Sequence, residues 1–214
     1  MIETKRSLYR QLNAARRDAK PLAFGSPRAT VTIPPISSLK RRLARPFVAF
    51  GISPNAVTGL GLVFLIGIAY AFSIQHFLLA TGFIALNGFC DLIDGAVARQ
   101  SNAETPLGKL FDRTADKISD AVILSLYPLF MQVPFPLGVY VVTTTLISTN
   151  ISSNIEAVFH QPISDALSLR AARYALLIAL TPFQQFFLLF ILLSLLTTYS
   201  LIQRLLTAWR LSIR

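Results

Sequence analysis

Three long stretches of the chain carry no Lys, Arg, Asp or Glu: residues 46–90, 121–155 and 174–203. They run to 45, 35 and 30 residues, each longer than the roughly 20 apolar residues a helix needs to cross a bilayer core. Polar and turn-forming residues interrupt the apolar pattern at Gln75-His76, in the 100–105 loop, at Val133-Pro134-Phe135-Pro136, at His160-Gln161-Pro162 and at Thr181-Pro182. The pattern predicts six spans, near 55–74, 78–99, 106–131, 137–158, 166–181 and 183–204. Ser53-Pro54-Asn55 opens the first, with proline at a helix-start position. The short alternating segments of a transmembrane barrel are absent. Before the first span, Leu39, Leu43, Phe47 and Phe50 recur at helical spacing, with Lys40, Arg41, Arg42 and Arg45 between them. This predicts a juxtamembrane amphipathic helix over 37–52, lying on anionic lipid and kinked at Pro46. Residues 1–36, punctuated by Pro21, Pro27, Pro34 and Pro35, read as a basic cytoplasmic extension with no apolar core of a secretory leader. The expected fold is all-α: a polytopic membrane protein with six transmembrane helices over 53–208 and an N-terminal interfacial helix.

Composition agrees. Hydrophobic residues make up 53% and charged residues 14%, against about 25% charged in soluble domains. The net charge of +10 does not point to nucleic acid, because 11 of the 20 basic residues lie in the first 45 positions, where a basic flank sets topology and faces lipid headgroups. With the N-terminus inside, all 20 basic residues fall on the inner side and none in the three outer loops. That division follows the positive-inside rule and puts both termini in the cytoplasm. The ten acidic residues fall on the same side, so the chemistry is expected there too. A single cysteine, Cys90, excludes an intrachain disulfide, and without a Cys/His cluster zinc is not expected.

Spans two and three hold Asp91, Asp94, Arg99, Asp112, Asp116 and Asp120 inside them or at their ends. Ionisable groups at membrane depth are costly and mark function by default. Asp91, Asp94, Gly95 and Ala98 share one helix face at i, i+3, i+4, i+7, and Gly108, Asp112 and Asp116 share another at i, i+4, i+8. Eight residues between Arg99 and Gly108 allow a short turn between antiparallel helices, so the two carboxylate faces can meet. Carboxylates brought together repel unless cations sit between them, and hard divalent ions prefer oxygen ligands while leaving room for phosphate. The small residues Gly95, Ala98 and Gly108 leave space for a flat ligand against the backbone. The alternative is that the acids are charged helix ends paired locally with Arg113 and Lys117.

The run Asp91-Leu-Ile-Asp94-Gly95-Ala-Val-Ala98-Arg99, eight residues, Gly108, three residues, Asp112, three residues, Asp116 resembles the signature of the CDP-alcohol phosphatidyltransferases at all eight defined positions. Pro54-Asn55-Ala-Val-Thr58 is similar to that family's entry to its first span. The resemblance implies transfer of a substituted phosphate from a CDP-linked lipid donor to a small alcohol, with release of CMP. It implies Asp91, Asp94, Asp112 and Asp116 as ligands of Mg²⁺ or Mn²⁺, two ions in all, and Asp116 also as the general base. It further implies Arg99 on the donor diphosphate, Gly95, Ala98 and Gly108 around the cytidine, and Asn55 and Thr58 at the border of that pocket. A homodimer in the bilayer is the expected assembly.

Arg170 and Arg173 are i, i+3 on span five. Apart from Asp165, outside the span, no acid lies near them in sequence, so the two guanidiniums are expected to be short of partners. They either snorkel to lipid phosphate or bind an anionic acceptor, since paired arginines recognise phosphate well. A phosphorylated acceptor is preferred on this ground, and the paired-arginine motif resembles that of family members that use inositol phosphate or glycerol phosphate. Asn87, one turn before Asp91, is a candidate supporting residue, and Lys117 with Asp120 a local ion pair. Two other activities compete: transfer of a choline- or ethanolamine-type headgroup from a soluble CDP-alcohol to a lipid, and cation-coupled transport, which also uses intramembrane carboxylates.

Overall fold

A computed structural model describes residues 34–159 and 166–213. Residues 1–33 of the basic extension expected over 1–36, and the predicted break at His160-Gln161-Pro162, lie outside them. Among the described residues the chain forms seven helices and no strand: α1 (Pro34–Ala49), α2 (Pro54–Ser73), α3 (Phe77–Gln100), α4 (Pro106–Phe130), α5 (Phe135–Phe159), α6 (Ala166–Leu180) and α7 (Phe186–Ser212). The starts follow local chemistry. Ser53 accepts from the Ala56 amide and Thr105 from the Gly108 amide, each followed by proline at the first helical position. His76 caps α3 by accepting from the Leu79 amide. The tight turns carry left-handed residues, Gln75 at φ 55° and Gln184 at φ 58°.

Three helices, α2, α3 and α7, are long and apolar enough to cross a membrane. The other predicted spans fall short for visible reasons. α4 carries six charged residues in its first fifteen positions, α5 is rich in Thr, Ser and Asn, and α6 has 15 residues. The bundle turns large apolar side chains outward, among them Ile66, Leu78 and Leu195, each more than 60% exposed, as a lipid-facing surface does.

α1 begins at Pro34, three residues before the expected start, and continues through Pro46. It rests on α3 through Leu43, Ala44, Phe47 and Val48, which pack on Ile93, Ala96 and Val97. Leu39 and Phe50, expected on that apolar face, are instead exposed. The Gln100 side chain donates to the Arg41 carbonyl at 3.0 Å and ties α1 to the end of α3.

The main core lies away from the charges. Tyr127 is fully buried and makes edge contacts with Phe72 and Phe186, with ring centroids 4.8 and 5.9 Å away. Its hydroxyl lies 2.5 Å from Thr181 Oγ1. Thr181 donates its own proton to the Leu177 carbonyl, so Tyr127 is the donor of that pair. α5 and α7 are joined by Thr144 to Thr197 at 3.0 Å and Ser148 to Ser200 at 2.8 Å, the interhelical hydrogen bonding expected where water is absent. Glycines allow close approach: a Cβ on Gly138 would lie 2.6 Å from Pro128, and one on Gly88 would lie 2.7 Å from the Tyr174 ring.

Tyr127 supplies the first prediction. Tyr127→Phe removes one buried hydrogen bond worth about 1 kcal/mol and lowers the unfolding midpoint in detergent by about 2–4 °C. Tyr127→Ala, which also leaves a cavity, costs about 3–5 kcal/mol. Equal midpoints for the two variants would show that the aromatic cluster does not hold this core.

Candidate active site

The ends of α3 and α4 joined by the 101–105 turn carry the carboxylates. Asp91, Asp112 and Asp116 each offer an oxygen, and these atoms lie within 4.8 Å of one another. Three hard oxygen donors at that spacing are a donor set suited to Mg²⁺ or Mn²⁺. Asp94 stands beside this group and is otherwise engaged. Thr58 donates to it at 2.7 Å, and the Gly95 amide lies 2.6 Å from its other oxygen. Thr58 thereby links α2 to the carboxylate face of α3.

A cavity of about 150 Å³ opens next to the cluster. Asn55, Thr58, Gly95, Ala98, Arg99 and Gly108 all line it, together with Asp94 and Asp112. Every residue expected around a cytidine diphosphate is thus in one cavity, from three helices. Gly108 is needed there: a Cβ would come within 3.0 Å of the Thr105 cap oxygen and 3.3 Å of Asn55 Oδ1. Arg99 is exposed and has no salt-bridge partner among the described residues. On α1, burial and the adjacent Arg99 guanidinium push the Lys40 ammonium below the ordinary lysine range, and the cavity lining itself is of mixed charge, with Arg99 and Lys109 beside Asp94, Glu104 and Asp112.

The counter-charges come from α6. Arg170 bridges Asp91, at 2.9 Å, and Asp116. Arg173 pairs with Asp120 at 2.8 Å, with both side chains less than 10% exposed. This corrects two expectations and bears against the alternative of local pairing with Arg113. The α6 arginines are not short of partners, because helix packing brings them to acids 53 to 79 positions away in sequence. Asp120 does not pair with Lys117, whose ammonium donates to Asn150 Oδ1 at 3.3 Å. Arg113 does not serve the carboxylate cluster: it reaches Glu156 on α5 at 2.6 Å.

Asn87 is the support for this arrangement. Its amide donates to the Gly61 carbonyl on α2 at 2.8 Å and to Ser119 on α4 at 3.3 Å, while its oxygen accepts from Tyr174 on α6 at 2.7 Å. The Tyr174 ring lies under Arg170, 5.7 Å from the guanidinium carbon. Arg204 was read from sequence only as topogenic charge. It is buried at 5% exposure, lines a cavity with Arg170 and Arg173, and leaves its Nε and Nη1 without partners among the described residues. Thr197, Ser200 and Arg204, at i, i+3, i+7 on one face of α7, were the available signal.

A helical membrane-type bundle with paired carboxylate helices around a cavity defines a class of membrane enzyme. The chain matches the model of the CDP-alcohol phosphatidyltransferase family over residues 51–212 and belongs to that family. It is 33% identical over 91 residues to archaetidylinositol phosphate synthase of Pyrococcus horikoshii, a stretch covering 42% of this chain and 48% of that protein. It is 36% identical over 94 residues to phosphatidylinositol phosphate synthase of Streptomyces avermitilis, covering 42% of this chain and 38% of that protein. The matched stretch thus spans about half the length of the first relative and less of the second. The fold is shared with phosphatidylinositol phosphate synthase of Mycobacterium tuberculosis, solved with CDP-DAG bound, at TM-score 0.63 and 21% identity over 80% of this chain and 94% of that one. The same Mycobacterium enzyme has been solved in complex with manganese and citrate.

The buried pair gives a prediction about stability. Asp120→Ala and Arg173→Ala each strand a buried charge and cost about 3–5 kcal/mol. The double variant Asp120→Leu/Arg173→Met removes both charges and unfolds later than either single variant. The check is thermal unfolding in detergent, and a double variant no more stable than the singles would remove the pair from the account of α6 docking.

Proposed function

We propose that this chain is a multi-pass membrane transferase that moves the phosphatidyl group of a CDP-diacylglycerol-type donor to a phosphorylated alcohol, glycerol phosphate or inositol phosphate, and releases CMP. The observation that carries this reading is the single cavity lined by Asn55, Thr58, Gly95, Ala98, Arg99 and Gly108 beside the Asp91–Asp112–Asp116 group. The named activities of the two synthases that resemble it support the same class of donor and acceptor.

In this reading Gly95, Ala98 and Gly108 leave the backbone open to the cytidine, and Asn55 and Thr58 border it. Arg99 pairs with the diphosphate at the cavity mouth. Asp91, Asp94, Asp112 and Asp116 hold Mg²⁺ or Mn²⁺, two ions in all. Such ions, when bound, neutralise the diphosphate and the departing CMP oxygen. Asp116 takes the proton of the acceptor hydroxyl as that oxygen bonds to the lipid-bearing phosphorus and the bond to CMP breaks. Base catalysis of this kind contributes about 10²–10⁴-fold. Arg170 and Arg173 receive the acceptor's phosphate.

The same reading has α2 to α7 as six transmembrane helices, α1 on the inner interface with its arginines toward anionic headgroups, both termini in the cytoplasm, and assembly as a homodimer. A site at the interface lets the donor keep its acyl chains in lipid while its head meets a water-soluble acceptor. Headgroup transfer to a lipid alcohol is the second reading, and the arginines of α6 favour an anionic acceptor over it. For cation transport a polar path must cross the bundle, whereas the described carboxylates gather at one end of it.

Two experiments test the proposal. Protein purified in detergent is expected to release CMP from CDP-diacylglycerol with Mg²⁺ or Mn²⁺ and a phosphorylated alcohol, and to stop when the metal is chelated. Asp116→Asn loses about 10²–10⁴-fold in turnover while still binding the CDP donor, and Asp91→Asn or Asp94→Asn loses metal-dependent nucleotide binding. Near-normal turnover in Asp116→Asn would remove its role as base, and turnover with serine, choline or free inositol alone would remove the phosphorylated acceptor. For topology, cysteines placed at Gln75, Pro134 and Gln184 in a Cys90→Ala background are labelled from the outer face. Labelling from the inner side only would overturn the six-span arrangement.

A further inference from the structure

Arg170 stands between two cavities. On one side it lines the small space among Asp91, Asp94 and Asp116. On the other it lines the space between α5, α6 and α7 with Ser148, Arg173, Ser200 and Arg204. Its guanidinium bridges Asp91 and Asp116, two of the three carboxylates whose oxygens cluster as a cation site. Its Nε is buried and unpartnered among the described residues, as are the Nε of Arg173 and both Nε and Nη1 of Arg204. The second cavity therefore gathers three guanidiniums around buried N–H groups with nothing to accept from them. It is also narrow, about 10 Å³, roughly the space of one water. While Arg170 is drawn to α3 and α4 and Arg173 to Asp120, an oxyanion has neither the room nor the free charge it requires.

We propose that Arg170 couples the two sites: it is the resident counter-ion of Asp91 and Asp116, and divalent-cation binding releases its guanidinium to the α5–α7 cavity, which then takes up a phosphate-type oxyanion with Arg173 and Arg204. A guanidinium and a divalent cation cannot share the same two carboxylates without like-charge repulsion. Arg170 freed from them sits beside two further arginines, where only an anion relieves the excess positive charge. Tyr174 keeps the side chain from leaving altogether, because it packs on the guanidinium and is itself fixed to Asn87. An anionic acceptor therefore binds well only to protein already loaded with metal. Metal and anion raise each other's affinity by one common factor, as linkage requires.

This inference rests on the metal reading above, and the test separates the two. Nucleotide-free protein in detergent is titrated with Mn²⁺, followed by the electron paramagnetic resonance of the free ion, and with inorganic sulfate, followed by calorimetry. Sulfate is expected to bind at least about fivefold more tightly at saturating Mn²⁺, and Mn²⁺ to gain the same factor at saturating sulfate. Arg170→Gln, checked for folding by its unfolding midpoint, retains Mn²⁺ binding but brings that factor to about one. Arg204→Gln keeps the native Mn²⁺ affinity in the absence of sulfate and loses at least about fivefold in sulfate affinity, which tests the cavity even if Arg170→Gln does not fold. Sulfate affinity that is the same with and without Mn²⁺ overturns the coupling and leaves the metal reading standing. Wild-type sulfate affinity in Arg204→Gln places the anion on the metal rather than in the cavity and also overturns it. No Mn²⁺ binding at all removes the metal reading and this inference with it.

Discussion

Carboxylates gathered inside a largely apolar bundle repel one another and lose their hydration, so something must stand between them for the chain to fold. Asp94 and Asp120 are nearly inaccessible, and Asp91, Asp112 and Asp116 share one small volume. The compensation has three sources. Thr58 and the Gly95 amide engage Asp94, Arg173 engages Asp120, and Arg170 spans Asp91 and Asp116. Two of these cations enter on α6, a helix of 15 residues that also buries Tyr174 and Leu177 in the main core. Charge adds to apolar packing in its placement: α6 lies where its arginines meet the acids of α3 and α4. Removing one partner of such a pair costs more than the pair contributes, so the arrangement specifies a position more than it adds stability.

The fine placement is done by neutral hydrogen bonds and missing side chains. Asn87 uses both amide protons and its oxygen on three other helices, α2, α4 and α6, and leaves little freedom for any of them to rotate. Gly88 lets the Tyr174 ring lie against the α3 backbone, and that ring carries Arg170. Gly61 approaches Cys90 Cβ closely, which brings α2 near enough for Thr58 to reach Asp94. A substitution at these positions acts on the site through helix spacing, at a distance from any ligand.

Much of this was legible in the sequence where the signal was local. Charge-free runs and proline-marked breaks located the helices within a few residues, as α2 at 54–73 and α3 at 77–100 show against the expected 55–74 and 78–99, except that α7 continues to Ser212 where the last span was expected to end at 204. The carboxylate faces were legible because i, i+3 and i+4 spacing fixes which side chains share a helix face. What the sequence hid was pairing between helices. Nothing near Arg170 or Arg173 in the chain announces Asp91, Asp116 or Asp120, and nearby Lys117 and Arg113 looked like better partners than they are. Arg204 was hidden for a similar reason: a basic residue near a C-terminus reads as topology until packing buries it against α6.

The two ends of the bundle divide the requirements of the fold between them. The end around Tyr127, Phe72, Phe186 and Phe190 is aromatic, closely packed and free of charge. It anchors α2, α4 and α7 whether or not the other end is neutralised. The charged end is then free to hold carboxylates and guanidiniums side by side. A bundle stabilised chiefly by its ion pairs could not exchange them for ligands without loosening. The proposed exchange would touch Arg170, which lies beside two cavities, and would leave the Arg173–Asp120 pair and the Asn87 hydrogen bonds to keep α6 in register. The ionic contacts of Arg170 are thus backed by neutral ones, the Tyr174 ring and its hydrogen bond to Asn87.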